Sequence, residues 1–286
     1  MASETEYSNY QTVAAYVEAG ITPHFRARAI MPNLMKAVNF QPGSASVKLR
    51  KAGSLTATAA TESTAHSTSE YTETSPNTLT AAEVKVYTEL SDKAIIFGGA
   101  SVDDITAEAG RAIADKFDAD AMALFDALNG GTVIGTSGAD LTPALLVQSA
   151  YTARAGNTPG MLAYVLHPVQ VYDVQDDIIA SGASVWSNPV MLDFLNGQRP
   201  ADNGLRGMFF GVPVYESTNT ESLNTAADWG GACFDVSNAL AYGIAGGVRV
   251  KIGYNVKSGL TEIGVTFWYD VKENSDTSGV AIVTDQ

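Results

Sequence analysis

The longest amphipathic pattern in the chain covers residues 102–128 and predicts one long helix. Ser101 is a favourable N-cap with Asp104 three positions later, and an Asn-Gly-Gly stop begins at Asn129. Apolar residues recur mostly at steps of three or four, which places them on one helix face: Val102, Ile105, Ala109, Ile113, Phe117, Ala121, Leu124, Phe125 and Leu128. Such a helix would be about 40 Å long, so we expect it to be the central helix against which the rest of the chain packs.

Two stretches upstream of this helix alternate between apolar and polar residues. Residues 46–51 and 83–91 both have the period of two that is typical of half-buried strands. Between them, residues 56–78 contain eight Thr and four Ser among 23 residues, and no Val, Ile, Leu, Met or Phe. A segment of this composition cannot form a core. The pattern therefore predicts a very long polar hairpin whose two strands are 46–51 and 83–91.

The first 40 residues contain only short apolar pieces, which are separated by Gly20, Pro23 and Pro32. Because Gly and Pro interrupt helices, we expect an irregular arm with one short helix near residues 11–19.

Downstream of residue 140, helices and strands alternate. Pro143 follows Thr142 and favours a helix start there. Pro213 removes a ladder donor, which predicts that its strand lies at a sheet edge or a bulge. The chain is therefore predicted to be α+β, with strands from both ends of the sequence around the long helix. The predicted elements are a helix at 142–155, a buried strand at 161–168, a helix at 168–180, a loop at 196–207, a strand at 208–218, a short strand at 232–236, a capped turn at 237–243, return strands after 246 and a last strand at 280–284.

Composition excludes several classes of protein. Charged residues make up 17% of the chain, below the roughly 25% typical of soluble domains, which suits a subunit that lies against neighbours. The net charge of -14 argues against a dedicated nucleic-acid binder. The single cysteine, Cys233, excludes an intramolecular disulfide framework, and we find no membrane-spanning run or secretory signal. These features favour a cytosolic protein.

Two patterns suggest a ligand, and neither is convincing. Residues 130–137, GGTVIGTS, have the glycine spacing of a phosphate-binding loop, but Thr136 stands where lysine is required and the segment follows a helix. A turn is the better interpretation. Glu62, His66 and Glu70 have a spacing of four, but the Thr-rich surroundings disfavour the helix that would align them. We expect solvated side chains there.

The remaining polar candidates also have structural interpretations. His167 precedes a proline at a strand end, which favours capping or packing over catalysis. Asp115, Asp118 and Asp120 lie along the long helix without the Glu-x-x-His pairs of bundle metal sites, so we expect a solvated acidic face. Cys233 lies between Ala232 and Phe234 and is predicted to be a buried thiol. The sequence therefore nominates no catalytic, cofactor-binding or metal-binding residue.

The order of these parts resembles the major capsid protein of tailed bacteriophages, whose Hong Kong 97-like shell fold is shared with encapsulins. The resemblance covers nearly the whole chain. It is carried by four stretches in this order: EVKVYTELSDKAII, AYVLHPVQVYDVQDD, MFFGVPVYES and GACFDVSNALAYGIAGGVRVKI.

The resemblance implies the domain organisation of that fold. The long helix would be the spine of a peripheral domain, and the polar hairpin would be an extended loop that reaches over a neighbouring subunit. The implied divisions are an N-terminal arm (1–40), the extended loop with flanking strands (41–96), the peripheral domain with the spine helix (97–140), the axial domain (141–245), the return strands of the peripheral domain (246–275) and a strand that returns to the axial domain (276–286).

The resemblance also implies a structural function without enzymatic activity or cofactors. The chain would assemble with itself into pentamers and hexamers of an icosahedral shell around double-stranded DNA, in the host cytoplasm and then in the virion. The implied partners are a separate scaffolding protein, a portal and a cement or decoration protein, with only weak non-specific contact to DNA and none to a membrane. The alternatives are an encapsulin-type shell that encloses cargo protein and, from another class, an enzyme with an unrecognised site.

One departure from the family concerns covalent cross-linking. Some relatives join subunits through a lysine on the extended loop and an Asn side chain of a neighbour. No lysine occurs here between Lys51 and Lys85, so the resemblance combined with this gap predicts a non-covalent shell.

Overall fold

The computed structural model describes residues 3–41, 43–51, 57, 74–93, 102–156, 160–180, 204–223 and 228–285. Its helices are α1 (Ser3–Arg28), α2 (Val102–Met122), α3 (Pro143–Ala155) and α4 (Pro168–Ala180). Its strands are β1 (Lys36–Asn39), β2 (Ser46–Lys51), β3 (Thr74–Thr80), β4 (Ala82–Ser91), β5 (Val133–Ile134), β6 (Leu162–Leu166), β7 (Leu205–Phe209), β8 (Val212–Glu216), β9 (Ser222–Leu223), β10 (Asp228–Asp235), β11 (Leu240–Ile244), β12 (Arg249–Asn255), β13 (Leu260–Glu273) and β14 (Gly279–Asp285).

The first sheet has five strands and is organised around β13. Antiparallel β4 pairs along one edge of β13, with Val86 opposite Val265. β12 and β11 share its other edge, and β1 pairs in parallel with β11. Residues of β13 alternate between buried and half-buried positions, as expected for a strand with one face on a core.

Helices α1 and α2 cover the buried face of the first sheet. Ile113, Phe117 and Ala121 of α2 are buried between that sheet and α1, which confirms the helix face predicted from the spacing. The two helices approach closely because each has a glycine at the point of contact, Gly20 on α1 and Gly110 on α2. A Cβ at Gly110 would lie 2.7 Å from the Cβ of His24, and a Cβ at Gly20 would lie 2.7 Å from Cγ2 of Thr106.

The long helix is shorter than predicted. α2 ends at Met122 and is followed by a 3₁₀ segment, Phe125–Gly131, in which Leu128 is extended and Asn129 has a positive φ. The ring of Phe125 packs 5.5 Å from that of Phe234 on β10. The tighter 3₁₀ turn brings Phe125 and the buried Leu128 onto the sheet that contains β10. The apolar pattern therefore continues past the end of the helix. Ser101, the predicted N-cap, lies outside the described residues.

The N-terminal prediction was wrong. Instead of an irregular arm with a helix near residues 11–19, α1 is a continuous helix of 26 residues that includes Pro23. Val17, Ile21 and Phe25 are buried at a spacing of four and pack onto α2. Proline removes one intrahelical hydrogen bond at a cost of about 3 kcal/mol, and this apolar packing offsets that cost.

The second sheet has the strand order β5-β14-β10-β6-β8-β7, with β9 added to β10. β6 is buried along its whole length, as predicted. α3 and α4 pack on one face of this sheet through Leu146, Val171 and Val174. The other face, at Val165 and Phe234, continues the core of the first sheet.

The predicted strand at 208–218 is a hairpin. β7 and β8 pair antiparallel, with Phe210 and Gly211 as the two loop residues. Pro213 lies in β8, which has neighbours on both sides, and β7 is the edge strand. Proline is tolerated there because the parallel pairing of β8 with β6 begins only at Val214.

The predicted hairpin partner was also wrong. β2 pairs with β3 rather than with 83–91, and 83–91 falls within β4 of the first sheet. β3, TSPNTLT, contains Leu79 as its only aliphatic residue, so its period of two could not be recognised. We call the two-stranded unit of β2 and β3 the ribbon. The chain between its strands, except residue 57, lies outside the described residues.

Sheet membership differs from the predicted domain boundaries in two places. β11, within 141–245, belongs to the first sheet, and β5, within 97–140, belongs to the second. Two predicted elements were shorter than the observed ones. The strand at 232–236 is the end of the longer β10, and the turn at 237–243 leads directly into β11.

Candidate functional site

The side chains that could take part in catalysis or ligand binding contribute to the stability of the fold. His167 is buried, and its ring stacks on that of Trp229 at 3.6 Å and 9°. Its Nδ1 accepts a hydrogen bond from the backbone N–H of Val169 at the start of α4. Burial lowers the pKa of this imidazole, which favours the neutral ring that an acceptor requires. The predicted capping and packing role is confirmed.

The acidic side chains of α2 do not form the predicted solvated face. Asp118 is only 2% exposed, and its two carboxylate oxygens accept hydrogen bonds from the backbone amides of Ile30 and Met31 at 2.9 and 3.1 Å. Burial raises its pKa to about 6. Asp118 therefore ties the turn that follows α1 to α2, a contact that no sequence pattern indicates.

The flanking carboxylates of α2 are also engaged. Asp115 accepts from Nε of Arg28 at 2.9 Å, which adds a second link between α1 and α2. Asp120 pairs with Lys116 at 2.5 Å and accepts from the hydroxyl of Tyr269 at 2.6 Å. The acidic row of α2 thus connects the helix to the elements around it.

Cys233 is a buried thiol, as predicted. It is fully inaccessible in β10, and burial raises its pKa to about 12. A thiol with such a pKa is not ionised at neutral pH and is not a nucleophile.

The glycine-rich stretch 130–137 has no free phosphate cradle. The backbone N–H of Gly130 donates to a carboxylate oxygen of Asp276 at 2.7 Å, and an anion would compete with that carboxylate. Gly135 has a φ of 101°, and a Cβ there would lie 2.2 Å from the carbonyl oxygen of Val283. The glycines serve a turn and a close approach to β14.

The other ligand candidate, Glu62 with His66 and Glu70, lies outside the described residues. Within the described ranges, no three His, Cys, Asp or Glu side chains are grouped so that they could hold a metal ion. No helix among these residues is both long enough and apolar enough to cross a membrane.

The ribbon is attached to the first sheet through one face. Leu49 and Leu79 are buried against Ala241, with Val38 and Phe40 beside them. Two polar contacts involve β3 and β13. The backbone N–H of Thr80 donates to Asp270 at 2.7 Å, and the amide of Asn77 donates to the carbonyl of Glu273 at 2.6 Å.

A comparison with family models identifies the family of this chain. A model described as phage capsid protein matches residues 54–277. The chain belongs to the phage capsid protein family.

Solved capsid structures have the same fold. The capsid protein resembles a chain of the bacteriophage PhiM1 mature capsid at 12% identity, with a TM-score of 0.63 and coverage of 90% of this chain and 87% of that chain. A capsid chain of Mycobacterium phage Che8 aligns at 16% identity with a TM-score of 0.64, covering 89% of this chain and 91% of that one. The holo-SrpI encapsulin of Synechococcus elongatus aligns at 11% identity with a TM-score of 0.59, covering 90% and 88%.

Comparison with curated proteins gives no match. The family assignment makes this chain a structural protein of the bacteriophage shell and a component of the virion. Capsid proteins act through the surfaces that meet other subunits, so the exposed apolar side chains of the described residues are of interest. Those on the second-sheet half of the molecule are Val133, Val147, Tyr151, Met161, Tyr172, Ile179, Met208 and Phe210.

Proposed function

We propose that this capsid protein is the major shell subunit, which assembles into pentamers and hexamers of an icosahedral shell that encloses double-stranded DNA. Assembly takes place in the host cytoplasm, and the protein has no enzymatic role and no cofactor. The observation that carries this proposal is the ribbon, whose base is anchored on the first sheet by Leu49 and Leu79 and whose continuation has no core-forming composition.

The composition of the segment between the two strands of the ribbon fits an arm between subunits. Thr favours extended structure, and the absence of large aliphatic residues over 56–73 keeps the segment soluble before assembly. Ordering such a segment costs conformational entropy, which contacts with a neighbouring subunit would offset. The anchored base gives the arm a fixed point of departure.

We assign the first sheet with α1 and α2 to the peripheral domain, and the second sheet with α3 and α4 to the axial domain around the capsomer centre. Under this assignment the ribbon is the extended loop. Residues 246–275 contribute β12 and β13 to the peripheral domain, and 276–286 contribute β14 to the axial domain. β11 moves to the peripheral domain and β5 to the axial domain.

The charge of the subunit supports weak contact with packaged DNA. A net charge of -14 repels phosphate at distances up to about the Debye length of 8–10 Å, so the inner wall of the shell would bind the enclosed DNA only weakly. We further propose a separate scaffolding protein, a portal and a cement or decoration protein as partners, because a closed non-covalent shell needs a size template, one vertex for DNA entry and reinforcement.

An encapsulin-type shell is the alternative, and the similarity to the holo-SrpI encapsulin favours considering it. The contents of the particle distinguish the two. Particles purified from the natural source after nuclease treatment should contain protected double-stranded DNA. Protected cargo protein without nucleic acid would support the encapsulin alternative and contradict the phage shell.

The arm is tested by replacing residues 58–72 with a short Gly-Ser turn that joins the two strands of the ribbon. The shortened protein should fold, with an unchanged unfolding midpoint, and should form few closed particles in electron micrographs. A variant in which residues 58–72 are replaced by a Gly-Ser segment of the same length is the matched control, because it changes the sequence of the segment and keeps its length. Normal closed shells from the shortened protein would show that the arm does not tie subunits together.

A further inference from the structure

The hairpin of β7 and β8 ends in an aromatic residue with an unfavourable backbone conformation. Phe210 has a φ of 47° and Gly211 a φ of 78°, and together they form the two-residue loop between the paired residues Phe209 and Val212. Positive φ at both positions is the pattern of a type I′ turn, for which Asn, Asp or Gly is preferred at the first position. A bulky residue there is an outlier, so turn formation does not explain Phe210.

Packing within the subunit does not explain Phe210 either. Its side chain is 51% exposed and that of Met208 is 48% exposed. The ring of Phe209, which is buried, meets the Phe210 ring edge-on at 4.8 Å and 86°, so the exposed ring is held in place from below. A strained backbone and an exposed aromatic ring both cost free energy in the isolated subunit, and such strain concentrates at functional positions.

A surface that could receive this tip lies on the outer sides of α3 and α4. These helices bury Leu146 and Val171 against the second sheet. Their opposite sides expose Val147 and Tyr151, four positions apart on α3, and Tyr172 and Ile179, seven positions apart on α4. Tyr151 is 73% exposed and Tyr172 is 64% exposed. Each helix therefore presents a short apolar stripe away from the sheet.

The tip carries one cation and α4 is acidic, while α3 adds one cation, Arg154, in its last turn. α4 carries Asp173, Asp176 and Asp177 and has no Lys, Arg or His in its sequence. Burial raises the pKa of the Asp173 carboxyl, and the neighbouring Asp140 adds to the shift. On β7, Arg206 precedes Met208. Its Nε is buried and forms an ion pair with a carboxylate oxygen of Glu216 at 3.8 Å. The Arg206 side chain is 31% exposed, so only the remaining part of the guanidinium can face an aspartate of α4.

We propose that the tip formed by Phe210, Met208 and Arg206 docks onto the outer face of α3 and α4 of an adjacent copy of this chain. The contact joins two different surfaces, so it is heterologous and propagates around a ring. Phe210 is the aromatic anchor, of the kind that dominates many interfaces. The inference rests on the proposed function, because it supplies one of the interfaces that a capsomer needs.

A glycine at position 210 separates docking from folding. Phe210→Gly removes the ring and relieves the strained φ, so the unfolding midpoint of the unassembled subunit should be unchanged or higher. The concentration needed for assembly should rise about tenfold or more, the effect of truncating an anchor residue. Wild-type assembly by this variant, or a lower unfolding midpoint, would overturn the proposal.

Disulfide trapping tests the receiving surface directly. Cys233 is buried, so new surface cysteines are the reactive thiols in the described part of the chain. Subunits carrying Phe210→Cys are mixed with subunits carrying Ile179→Cys or Tyr151→Cys, assembled and oxidised. A covalent dimer should appear with at least one of the two. Val256→Cys, at an 81% exposed position after β12, is the control and should give none.

Failure of this inference is distinguishable from failure of the proposed function. Wild-type protein that forms no closed particle would contradict the shell. A wild-type shell in which Phe210→Cys cross-links to neither α3 nor α4 would contradict only the docking contact.

Discussion

The ring of Phe117 on α2 meets the ring of Phe25 on α1 edge-on, with centroids 5.7 Å apart and planes at 88°. Phe117 also contacts Tyr242 of β11 at 5.6 Å and Tyr269 of β13 at 5.0 Å. One side chain thus joins the N-terminal helix, the spine helix and the first sheet, and its loss should affect all three.

We expect Phe117→Ala to lower the free energy of unfolding of the subunit by about 3–5 kcal/mol, because it leaves a cavity and removes three aromatic contacts. This is a large part of the 5–15 kcal/mol that stabilises a typical domain. Chemical denaturation of the unassembled subunit measures it. Val256→Ala, at an exposed turn, is the control and should change stability by less than about 0.5 kcal/mol. An equally small effect at Phe117 would contradict its central position.

Gly110→Ala should destabilise the contact between α1 and α2. The added Cβ would lie 2.7 Å from the Cβ of His24 and 3.2 Å from the carbonyl oxygen of Ile21, and overpacking of this kind costs about 1–3 kcal/mol. In an open helix the same change would stabilise by up to about 1 kcal/mol. The sign of the change in unfolding free energy therefore decides whether the helices touch here. Gly253→Ala, with no atom closer than 3.9 Å, is the control.

The buried carboxylate of Asp118 should make stability depend on pH. Burial raises its pKa to about 6 from the ordinary aspartate value of 3.8, so between these values the folded subunit holds a proton that the unfolded chain has lost. The contribution of Asp118 to stability is therefore most favourable at low pH and is lost as pH rises through about 6. Between pH 5 and 7.5 the loss is about 1–2 kcal/mol.

Asp118→Asn removes this titration. The difference in unfolding free energy between wild type and the variant should shift in favour of the variant as pH rises from 5 to 7.5. At any pH the variant also loses an acceptor for one of the two backbone amides, which costs about 1–3 kcal/mol. Asp177→Asn, an exposed position on α4, is the control. A pH-independent difference for Asp118→Asn would mean that its carboxyl does not titrate in this window.

Mature particles boiled in detergent under reducing conditions should release one band near the 30.0 kDa monomer. No lysine is available between Lys51 and Lys85. Lys48 and Lys51 lie on β2 at the base of the ribbon, and Lys85 pairs with Glu83 at 3.0 Å on β4. A ladder of covalent multimers would show that subunits are cross-linked through another residue.

Elements with a strong period were predictable from the sequence. The apolar face of α2, the buried strand β6 and the helices α3 and α4 follow from spacing, proline position and length. These elements depend mainly on local sequence, because their apolar residues face the core regardless of which element they pack against. The order of the parts then indicated the capsid fold, although no single motif did.

The missed features depend on partners that are distant in sequence. Pro23 marks a helix break locally, but packing of Phe25 on α2 keeps α1 continuous. Asp118 looks like a surface residue of an acidic helix, and its backbone partners, Ile30 and Met31, come from another element. The strained tip at Phe210 was hidden for a similar reason, because a Phe-Gly pair does not indicate a type I′ turn.

The pairing of β4 with β13 joins two parts of the chain that are far apart in sequence. Val86 and Val265 face each other across most of the chain, and closing so long a loop is entropically costly and slow. Until it closes, β13 lacks its partner along one edge and the first sheet is incomplete. We therefore expect each subunit to complete this sheet at the rate of its own long-range folding, and we expect that step to limit how quickly folded subunits become available for assembly.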